Sequence, residues 1–260
     1  MTDTSSDQRL SVQGERSAPS RACLDVRSER RGLRHEFKLV SDEAAYAEVR
    51  MALRLERAGI RALHAPRLVQ SLYLDTCFGR ALEQNLAGLS VREKLRVRWY
   101  GAGTGAVEGV LERKCRENSL GWKESLRLAE PLTIAGTERR SFVLELARRV
   151  DPLWRAHLAA LEPAQWVRYR REYFTSADRR VRLTLDRELC FFDQRRLARL
   201  SDAERTPSPR VLVLELKCAP EDLEQAREIL ARLPIPLGRC SKFVLAAAPE
   251  SGPIPSRFEI

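Results

Sequence analysis

The chain contains few residues of the kinds that build metal centres or membrane spans. Its 260 residues include three His and six Cys. The cysteines form no C-x-x-C pair, which argues against a structural zinc site. No apolar run approaches the ~18 residues of a membrane-spanning helix, and no apolar signal segment follows Met1. We therefore expect a cytoplasmic protein with reduced thiols and no membrane span.

Basic residues outnumber acidic ones. Lys and Arg total 46 against 36 Asp and Glu, which gives a net charge of +10. Residues 1–33 hold six Arg and five acidic residues, so nearly all of the excess lies in the rest of the chain. This excess favours an anionic partner. A nucleic-acid binder would add exposed aromatic residues and a recognisable RNA-binding motif, so we expect no nucleic-acid partner.

One segment carries a cation at every second position. Residues 89–100 read L-S-V-R-E-K-L-R-V-R-W-Y. Alternate side chains of a β-strand share a face, whereas residues i and i+2 of a helix do not. A strand would therefore display a row of cations about 7 Å apart, formed by Arg92, Lys94, Arg96 and Arg98. Such a row suits a chain of phosphates better than a single carboxylate.

Other segments alternate in the same way, with charged side chains on one face and apolar ones on the other. The polar positions are 34, 36 and 38; 112, 114 and 116; 182, 184 and 186; and 215 and 217. A sandwich with a solvated outer face would explain this pattern, and so would a barrel with a charged lumen. The predominance of Arg, Lys and Glu favours the barrel. Because a charged lumen is costly without compensation, it predicts a polyanion site inside a tunnel, with a metal bridging to the acids.

The order of elements indicates an α+β fold. We predict a disordered tail at 1–32, one domain at 33–248 and a tail at 249–260. Strands are predicted at 34–40, 69–76, 92–100, 107–115, 122–128, 166–174, 180–189 and 211–217. Helices are predicted at 43–58, at 137–161 with a break at Asp151-Pro152, and at 220–233. The expected architecture is a closed antiparallel β-barrel or tunnel of about eight strands, with a charged lumen and peripheral helices.

Nine short motifs occur in an order that resembles a known family. They include R-x-E-x-K at 34–38, S-L-Y-L-D-T at 71–76, R-E-K-L-R-V-R-W-Y at 92–100 and L-E-R-K at 111–114. W-K-E-S at 122–125, Y-R-R-E-Y at 169–173, V-R-L-T-L-D at 181–186, V-L-E-L-K at 213–217 and R-C-S-K-F at 239–243 follow. The chain resembles the VTC domain, the polyphosphate polymerase domain of the vacuolar transporter chaperone, which belongs to the triphosphate tunnel metalloenzymes.

The resemblance implies transfer of the γ-phosphoryl group of ATP to a polyphosphate chain, with Mn²⁺ or Mg²⁺ as cofactor. It implies catalytic roles for a set of cations: Lys38, Arg96, Arg98, Lys114, Lys123, Arg171, Arg182 and Lys242. Substrate-binding positions follow from the motifs and from the cation row: Arg92, Lys94, Tyr169, Arg239 and Ser241. It implies Glu215 as the metal ligand. The sequence indicates no oligomeric state.

Two departures from the family pattern bear on the activity. Hydrolytic relatives carry E-x-E-x-K, and Arg34 here replaces the first Glu, which argues against triphosphate hydrolysis as the main activity. Arg116 stands where the resemblance leads us to expect His. The alternatives are a triphosphate hydrolase and a non-catalytic polyphosphate-binding module, which would keep the cations without needing a metal.

Other candidate metal ligands are weighed against plainer roles. His35, His64 and His157 lack ligand spacing, so packing or surface roles are expected. Asp75 is expected to pair with a lumen Arg rather than bind a second metal. Glu36 and Glu112 are expected to act as lumen counter-charges that could also reach the metal.

Overall fold

One antiparallel sheet holds most of the strands. The computed structural model describes residues 26–27, 34–117, 120–247 and 254–255. The strands are β1 (Val26–Arg27), β2 (His35–Asp42), β3 (Arg61–Asp75), β4 (Val91–Tyr100), β5 (Ala106–Val107), β6 (Val110–Glu117), β7 (Leu120–Arg127), β8 (Leu132–Thr133), β9 (Glu162–Thr175), β10 (Arg182–Asp193), β11 (Val211–Cys218), β12 (Gly238–Arg239) and β13 (Ile254–Pro255). The helices are α1 (Tyr46–Leu55), α2 (Arg80–Leu86), α3 (Arg139–Arg148), α4 (Pro152–Leu158), α5 (Leu223–Ala231) and α6 (Lys242–Ala247).

The main sheet is an open half-barrel. Its nine strands pair in the order β1-β7-β6-β4-β3-β9-β10-β11-β2, and all neighbours are antiparallel. Four strands stand between β4 and β2, yet Lys94 of β4 and Lys38 of β2 interact electrostatically across the concave side. In the described part of the chain no ladder joins the edge strands β1 and β2. The α+β class is confirmed, and closure into a full barrel is not shown.

Most predicted elements are present, with two differences. Strand β3 begins at Arg61 rather than at residue 69, because its first residues pair, through several bulges, with the C-terminal part of β9. Helix α2 is not predicted, and none of its seven residues is fully buried, so the hydrophobic pattern is weak there. The predicted break at Asp151-Pro152 is confirmed, since Asp151 caps α4 and Pro152 begins it. The tails predicted at 1–32 and 249–260 lie outside the described residues, apart from β1 and β13.

The apolar faces of the strands are buried on the convex side, beneath the helices. One cluster combines Trp99 of β4 with Phe142 of α3. Another combines Leu214 of β11 with Val49 of α1 and Ile229 of α5. Because the alternation places polar and apolar side chains on opposite faces, burial of the convex face turns the charged positions toward the concave side. This is the arrangement expected of a charged lumen rather than of a solvated outer face.

Helix α6 is an exception to the expected peripheral helices. It lies on the concave side, where Phe243 packs against Tyr73 with 5.0 Å between ring centroids. Both belong to an apolar cluster that also contains Val213 and Tyr169, which are concave-face residues of β11 and β9. Part of the lumen is therefore filled with apolar side chains, and the charged part lies beside α6.

A buried amide fixes the glycine-rich turn that follows β4. Gln70 is fully buried and donates through Nε2 to the carbonyl oxygens of Gly101, at 2.8 Å, and Gly103, at 3.3 Å. Its Oε1 accepts from Trp166 Nε1 at 3.0 Å. The glycine-rich turn at 101–105 is thus tied to β3 and β9. This attachment sets the position at which β4 ends, at Tyr100.

Replacing this amide tests how far the turn depends on it. Gln70→Leu should lower the free energy of unfolding by about 2 kcal/mol, because a buried indole N–H and a carbonyl lose their partners. Gln225→Leu is the control, since it removes one hydrogen bond at the surface and should cost much less. Urea denaturation of both variants measures the difference, and equal losses would contradict the role given to Gln70.

Candidate functional site

A buried carboxylate organises the cation row of β4. Glu112 of β6 is inaccessible to solvent, and its Oε2 accepts from Arg96 Nε at 2.9 Å and Nη2 at 2.7 Å. Its Oε1 accepts from Arg98 and lies 3.5 Å from Lys123 Nζ. Burial alone would raise the pKa of Glu112, but the charges of Arg96 and Arg98 more than offset burial and hold the pKa well below its ordinary value. Glu112 is therefore a counter-charge whose oxygens are already occupied.

A second buried carboxylate holds the cations of β9 and α6. Asp186 of β10 accepts from Arg171 Nε at 2.6 Å and Nη2 at 2.7 Å. Lys242 Nζ lies 2.6 Å from Asp186 Oδ2 and 4.8 Å from the centre of the Tyr169 ring. Burial opposes ionisation of Asp186, but the two cations lower its pKa below the ordinary value. The pair positions Arg171 and Lys242 on the concave face.

Two further carboxylates lie on neighbouring strands and share lysines. Lys217 Nζ lies 2.6 Å from Glu215 Oε1 and 3.2 Å from Glu36 Oε2. Lys38 Nζ lies 3.2 Å from Glu36 Oε1. Burial would raise the pKa of Glu215, but Lys217 and Lys38 hold it well below the ordinary value. Glu215 is thus an ionised carboxylate on the concave face, at the position predicted to bind metal.

Two lysines on the concave face have no carboxylate partner among the described residues. The register aligns Lys94, Lys114 and Lys123 across β4, β6 and β7, and within these residues neither Lys94 nor Lys114 forms an ion pair. Burial, followed by the charges of Lys38, Arg92 and Arg96, lowers the pKa of Lys94 to about 7. Lys114 is exposed on the concave face, and the charge of Arg96 lowers its pKa well below the ordinary value, although Glu215 acts in the opposite direction.

Residues around α6 connect the half of the sheet that contains β4 with the half that contains β10, β11 and β2. Lys94 Nζ donates to Ser241 Oγ at 2.9 Å, and Lys38 Nζ donates to the carbonyl oxygen of Cys240 at 3.3 Å. With the Lys242–Asp186 pair, the segment contacts β4, β2 and β10 at once. The two halves are therefore joined by side-chain contacts at this point.

The remaining predicted residues lie toward the ends of the strands. Arg92 is half-buried at the start of β4, and burial, followed by the charges of Arg116 and of Arg239 in β12, lowers its pKa. Arg182 is exposed at the start of β10, opposite Lys217. These three arginines surround the charged centre formed by the other predicted cations.

Several residues contribute to the site without a signal in the sequence, and one expectation was wrong. The ion pairs of Asp186 with Arg171 and of Lys217 with Glu36 depend on cross-strand register, although alternation places Asp186 and Lys217 on the correct face. Tyr73, whose Oη accepts from Arg96 Nη1 at 3.0 Å, gave no such signal. Asp75 pairs with no lumen Arg: it is buried and accepts from the backbone N–H groups of Thr76, Ala81 and Leu82, so it caps α2.

The concave face therefore carries a surplus of cations around a few fixed acids. The carboxylates are Glu36, Glu112, Asp186 and Glu215. The cations that accompany them are Lys38, Lys94, Arg96, Arg98, Lys114, Lys123, Arg171, Lys217 and Lys242. In the part of the chain that is described, no three His, Cys, Asp or Glu side chains gather into a metal site. The surplus gives this face a positive charge that is complementary to an anion of several charges.

Comparison with known families agrees with this chemistry. The model of the family described as VTC domain matches residues 33–249. The chain belongs to the VTC domain family. The resemblance to the VTC domain inferred from the nine motifs is thereby confirmed.

A solved structure shows that the fold is shared with a distant protein. An adenylyl cyclase candidate from Hippeastrum, with a dominant triphosphatase activity, is 18% identical to this VTC domain, with a TM-score of 0.50 over 85% of this chain and 96% of that one. An adenylate cyclase candidate from Vibrio parahaemolyticus is 14% identical, with a TM-score of 0.44 over 82% of this chain and 98% of that one. No curated protein matches the chain. Across the described residues, no helix combines the length and the apolarity that crossing a membrane requires.

Glu112 should matter to stability out of proportion to its size. Glu112→Gln leaves two buried guanidinium groups without their counter-charge and should cost about 3 kcal/mol of unfolding free energy. Adding tripolyphosphate should recover part of this loss, because the anion replaces the missing charge. Glu108→Gln removes a solvent-exposed partner of Arg127 and should have no measurable effect in the same urea titration. An equal effect of both changes would refute the central position of Glu112.

Lys94 should lower the stability of the ligand-free protein and raise its affinity for an anionic ligand. Between about pH 7 and pH 10 the unfolded chain holds a proton on Lys94 that the folded protein lacks, so stability from this group rises with pH across that window. Lys94→Met should therefore raise Tm by about 2–4 °C near pH 6, and by less near pH 9. It should also weaken tripolyphosphate binding roughly tenfold, the effect of one charge-assisted contact.

Calorimetry of unfolding and of binding measures both effects of this change. Lys38→Met is the matched control, because it removes a partner of Glu36 and should lower Tm. A Lys94→Met protein with reduced Tm and unchanged tripolyphosphate affinity would show that Lys94 is a structural cation.

Proposed function

We propose that this VTC domain is a polyphosphate polymerase that transfers the γ-phosphoryl group of ATP to a growing polyphosphate chain. The observation that carries the proposal is the pair of lysines without carboxylate partners, Lys94 and Lys114, beside Arg96 on the concave face of the described chain. Structural ion pairs would give each cation a carboxylate, as Glu112 and Asp186 do for their neighbours. Cations left without one are compensated when a polyanion binds.

The geometry supports a path for a phosphate chain between the two halves of the sheet. Arg96, Lys94 and Lys114 approach it from β4 and β6, and Lys38 and Glu215 approach it from β2 and β11. In this proposal the half-barrel and the segment around α6 enclose the path as a tunnel. Phosphoryl transfer depends mainly on positioning and on neutralisation of charge, which rigid Arg and Lys side chains provide.

Each predicted residue then has a place in the proposed mechanism. Arg96, Arg98 and Arg171 are held rigid by carboxylates and orient the phosphates of ATP through bidentate contacts. Lys38, Lys94 and Lys114 lie where charge develops on the transferred group. The other members of the proposed set contact the chain toward its ends: Arg92, Lys123, Tyr169, Arg182, Arg239, Ser241 and Lys242.

The acids of β11 and β2 fit a divalent cation. Glu215 and Glu36 supply hard carboxylate oxygens on adjacent strands, and the side chain of Glu36 is 40% exposed. Mg²⁺ and Mn²⁺ require few protein carboxylates when phosphate oxygens complete the coordination. Glu215 would hold such an ion with help from Glu36, and the ion would neutralise charge on the phosphates. Glu112 does not fit this role, because it is inaccessible to solvent and its oxygens accept from the guanidinium groups of Arg96 and Arg98.

A triphosphate hydrolase is the alternative, and one comparison favours it. The structural neighbour from Hippeastrum is described as having a dominant triphosphatase activity. Against it stands Arg34, which lies two residues before Glu36 and brings a cation where hydrolytic relatives bring a carboxylate. A module that binds polyphosphate without turnover would need neither Glu215 nor a metal.

Incubation with ATP and Mn²⁺, followed by gel electrophoresis, separates these functions. We expect ADP together with phosphate chains longer than triphosphate. Orthophosphate and ADP without chains would identify a hydrolase. Tight polyphosphate binding without turnover would identify a binding module.

Glu215→Gln tests the proposed metal ligand. The change should abolish metal-dependent turnover while leaving tripolyphosphate affinity within about threefold, because the anion is held mainly by Arg and Lys side chains. Turnover is measured by ADP release and binding by calorimetry, with circular dichroism as the control for folding. Full activity in this variant would remove Glu215 from the metal site.

A further inference from the structure

A group of aromatic and arginine side chains at one end of the concave face has no role in the proposed phosphate path. The guanidinium group of Arg67 lies 5.6 Å from the centre of the Tyr100 ring and 5.7 Å from that of Tyr173. Arg98, which does belong to the phosphate path, lies 5.7 Å from the centre of the same Tyr100 ring. Arg98, Tyr100, Arg67 and Tyr173 therefore form a continuous chain of contacts, and Tyr100, Arg67 and Tyr173 are here called the aromatic mouth.

The register places the aromatic mouth directly beyond the phosphate path. Tyr100 follows Arg98 by two residues on β4 and so shares its face. Tyr100 pairs with Val69 of β3, and Arg67 pairs with Arg171 of β9. A molecule that extends along the face past Arg96 and Arg98 would reach Tyr100 next.

The aromatic mouth is open to solvent, unlike a packed structural cluster. Tyr100 is 46% exposed, and Arg67 is exposed. Within the described residues Arg67 has no carboxylate partner, so its guanidinium contacts rings alone. Tyr173 is partly buried, and burial followed by the proximity of Tyr100 raises its pKa to about 12, so its ring stays neutral at physiological pH. Two tyrosine rings and a cation without a carboxylate partner offer an accessible surface to a planar group.

A nucleoside triphosphate combines a planar base with a chain of three phosphates. Bases stack on tyrosine rings and on guanidinium planes, and such stacking tolerates any base. Polyphosphate has no base, so it would use the cations and leave the aromatic mouth empty. The same face would therefore distinguish the phosphoryl donor from the chain that receives the phosphoryl group.

We propose that Tyr100 and Tyr173, with Arg67 between them, bind the base of a nucleoside triphosphate whose phosphates extend past Arg98 toward Arg96. The proposal rests on the function proposed above for the cations. It sets the direction of the nucleotide: the base stays at the open end near the last residue of β4, and the terminal phosphate points toward Lys94 and Lys114.

The test compares two ligands that differ in the base. ATP and inorganic tripolyphosphate are titrated by calorimetry into the unaltered protein, Tyr100→Leu and Tyr173→Leu. Each substitution should weaken ATP roughly tenfold, the scale of stacking on one ring, and should change tripolyphosphate affinity less than twofold. GTP should lose affinity as ATP does. Phe78→Leu, at an aromatic residue that is 93% exposed in the turn before α2, is the control and should change neither ligand.

The outcomes separate this proposal from the function on which it rests. A loss of affinity confined to ATP and GTP would support base binding at the aromatic mouth. Equal loss of ATP and tripolyphosphate, or no loss of either in both tyrosine variants, would overturn base binding and leave the phosphate path standing. An unaltered protein that binds neither ligand would overturn both proposals.

Discussion

The need to compensate buried charge determines how this site is built. A carboxylate as inaccessible as Glu112 is tolerated only when cations surround it, and it in turn fixes two guanidinium groups that would otherwise search many rotamers. Asp186 does the same for Arg171 and Lys242. Each acid thus acts as a positioning residue, and the orientation of the guanidinium groups is fixed before any ligand binds. Preorganisation of this kind lowers the entropic cost of holding a flexible polyanion.

Not every cation of the site has a compensating carboxylate. The cations that lack one connect the structure to the proposed function. Lys94 is half-buried and Lys114 is exposed on the concave face; burial and neighbouring cations lower the pKa of Lys94, and the charge of Arg96 lowers that of Lys114. Such an arrangement costs stability in the empty protein, and sites that oppose stability are commonly sites of function. A bound polyanion would raise the pKa of both amines and so favour their charged forms. The affinity of the face and its instability when empty therefore have the same origin.

The sequence predicts the faces of this protein better than it predicts the pairings across them. Alternation with a period of two assigns Arg96, Lys114 and Glu215 to one surface, because strand geometry alone decides which side a residue occupies. Partnership between Asp186 and Lys242 is not predictable in this way, since it depends on where α6 packs. For Asp75 the predicted partner was wrong. Its charge suggests an ion pair, whereas backbone N–H groups of the following turn donate to its carboxylate. The weakly amphipathic α2 is unpredictable for a related reason, because tertiary contacts rather than its own pattern hold it.

The placement of α6 decides whether the half-barrel works as one site. Lys38 and Lys94 belong to strands far apart in the ladder, and both bond to the segment that leads into this helix. Strand pairing alone would leave the two halves of the concave face free to separate at the open edge. Side-chain contacts from three strands converge on a few residues there, so the distance between opposing cations depends on a segment far along the chain. A phosphate chain between these halves would add contacts to both and would strengthen the same closure. Binding and completion of the site are therefore coupled by geometry, and the strength of that coupling depends on how firmly Ser241 and Lys242 are held by β4 and β10.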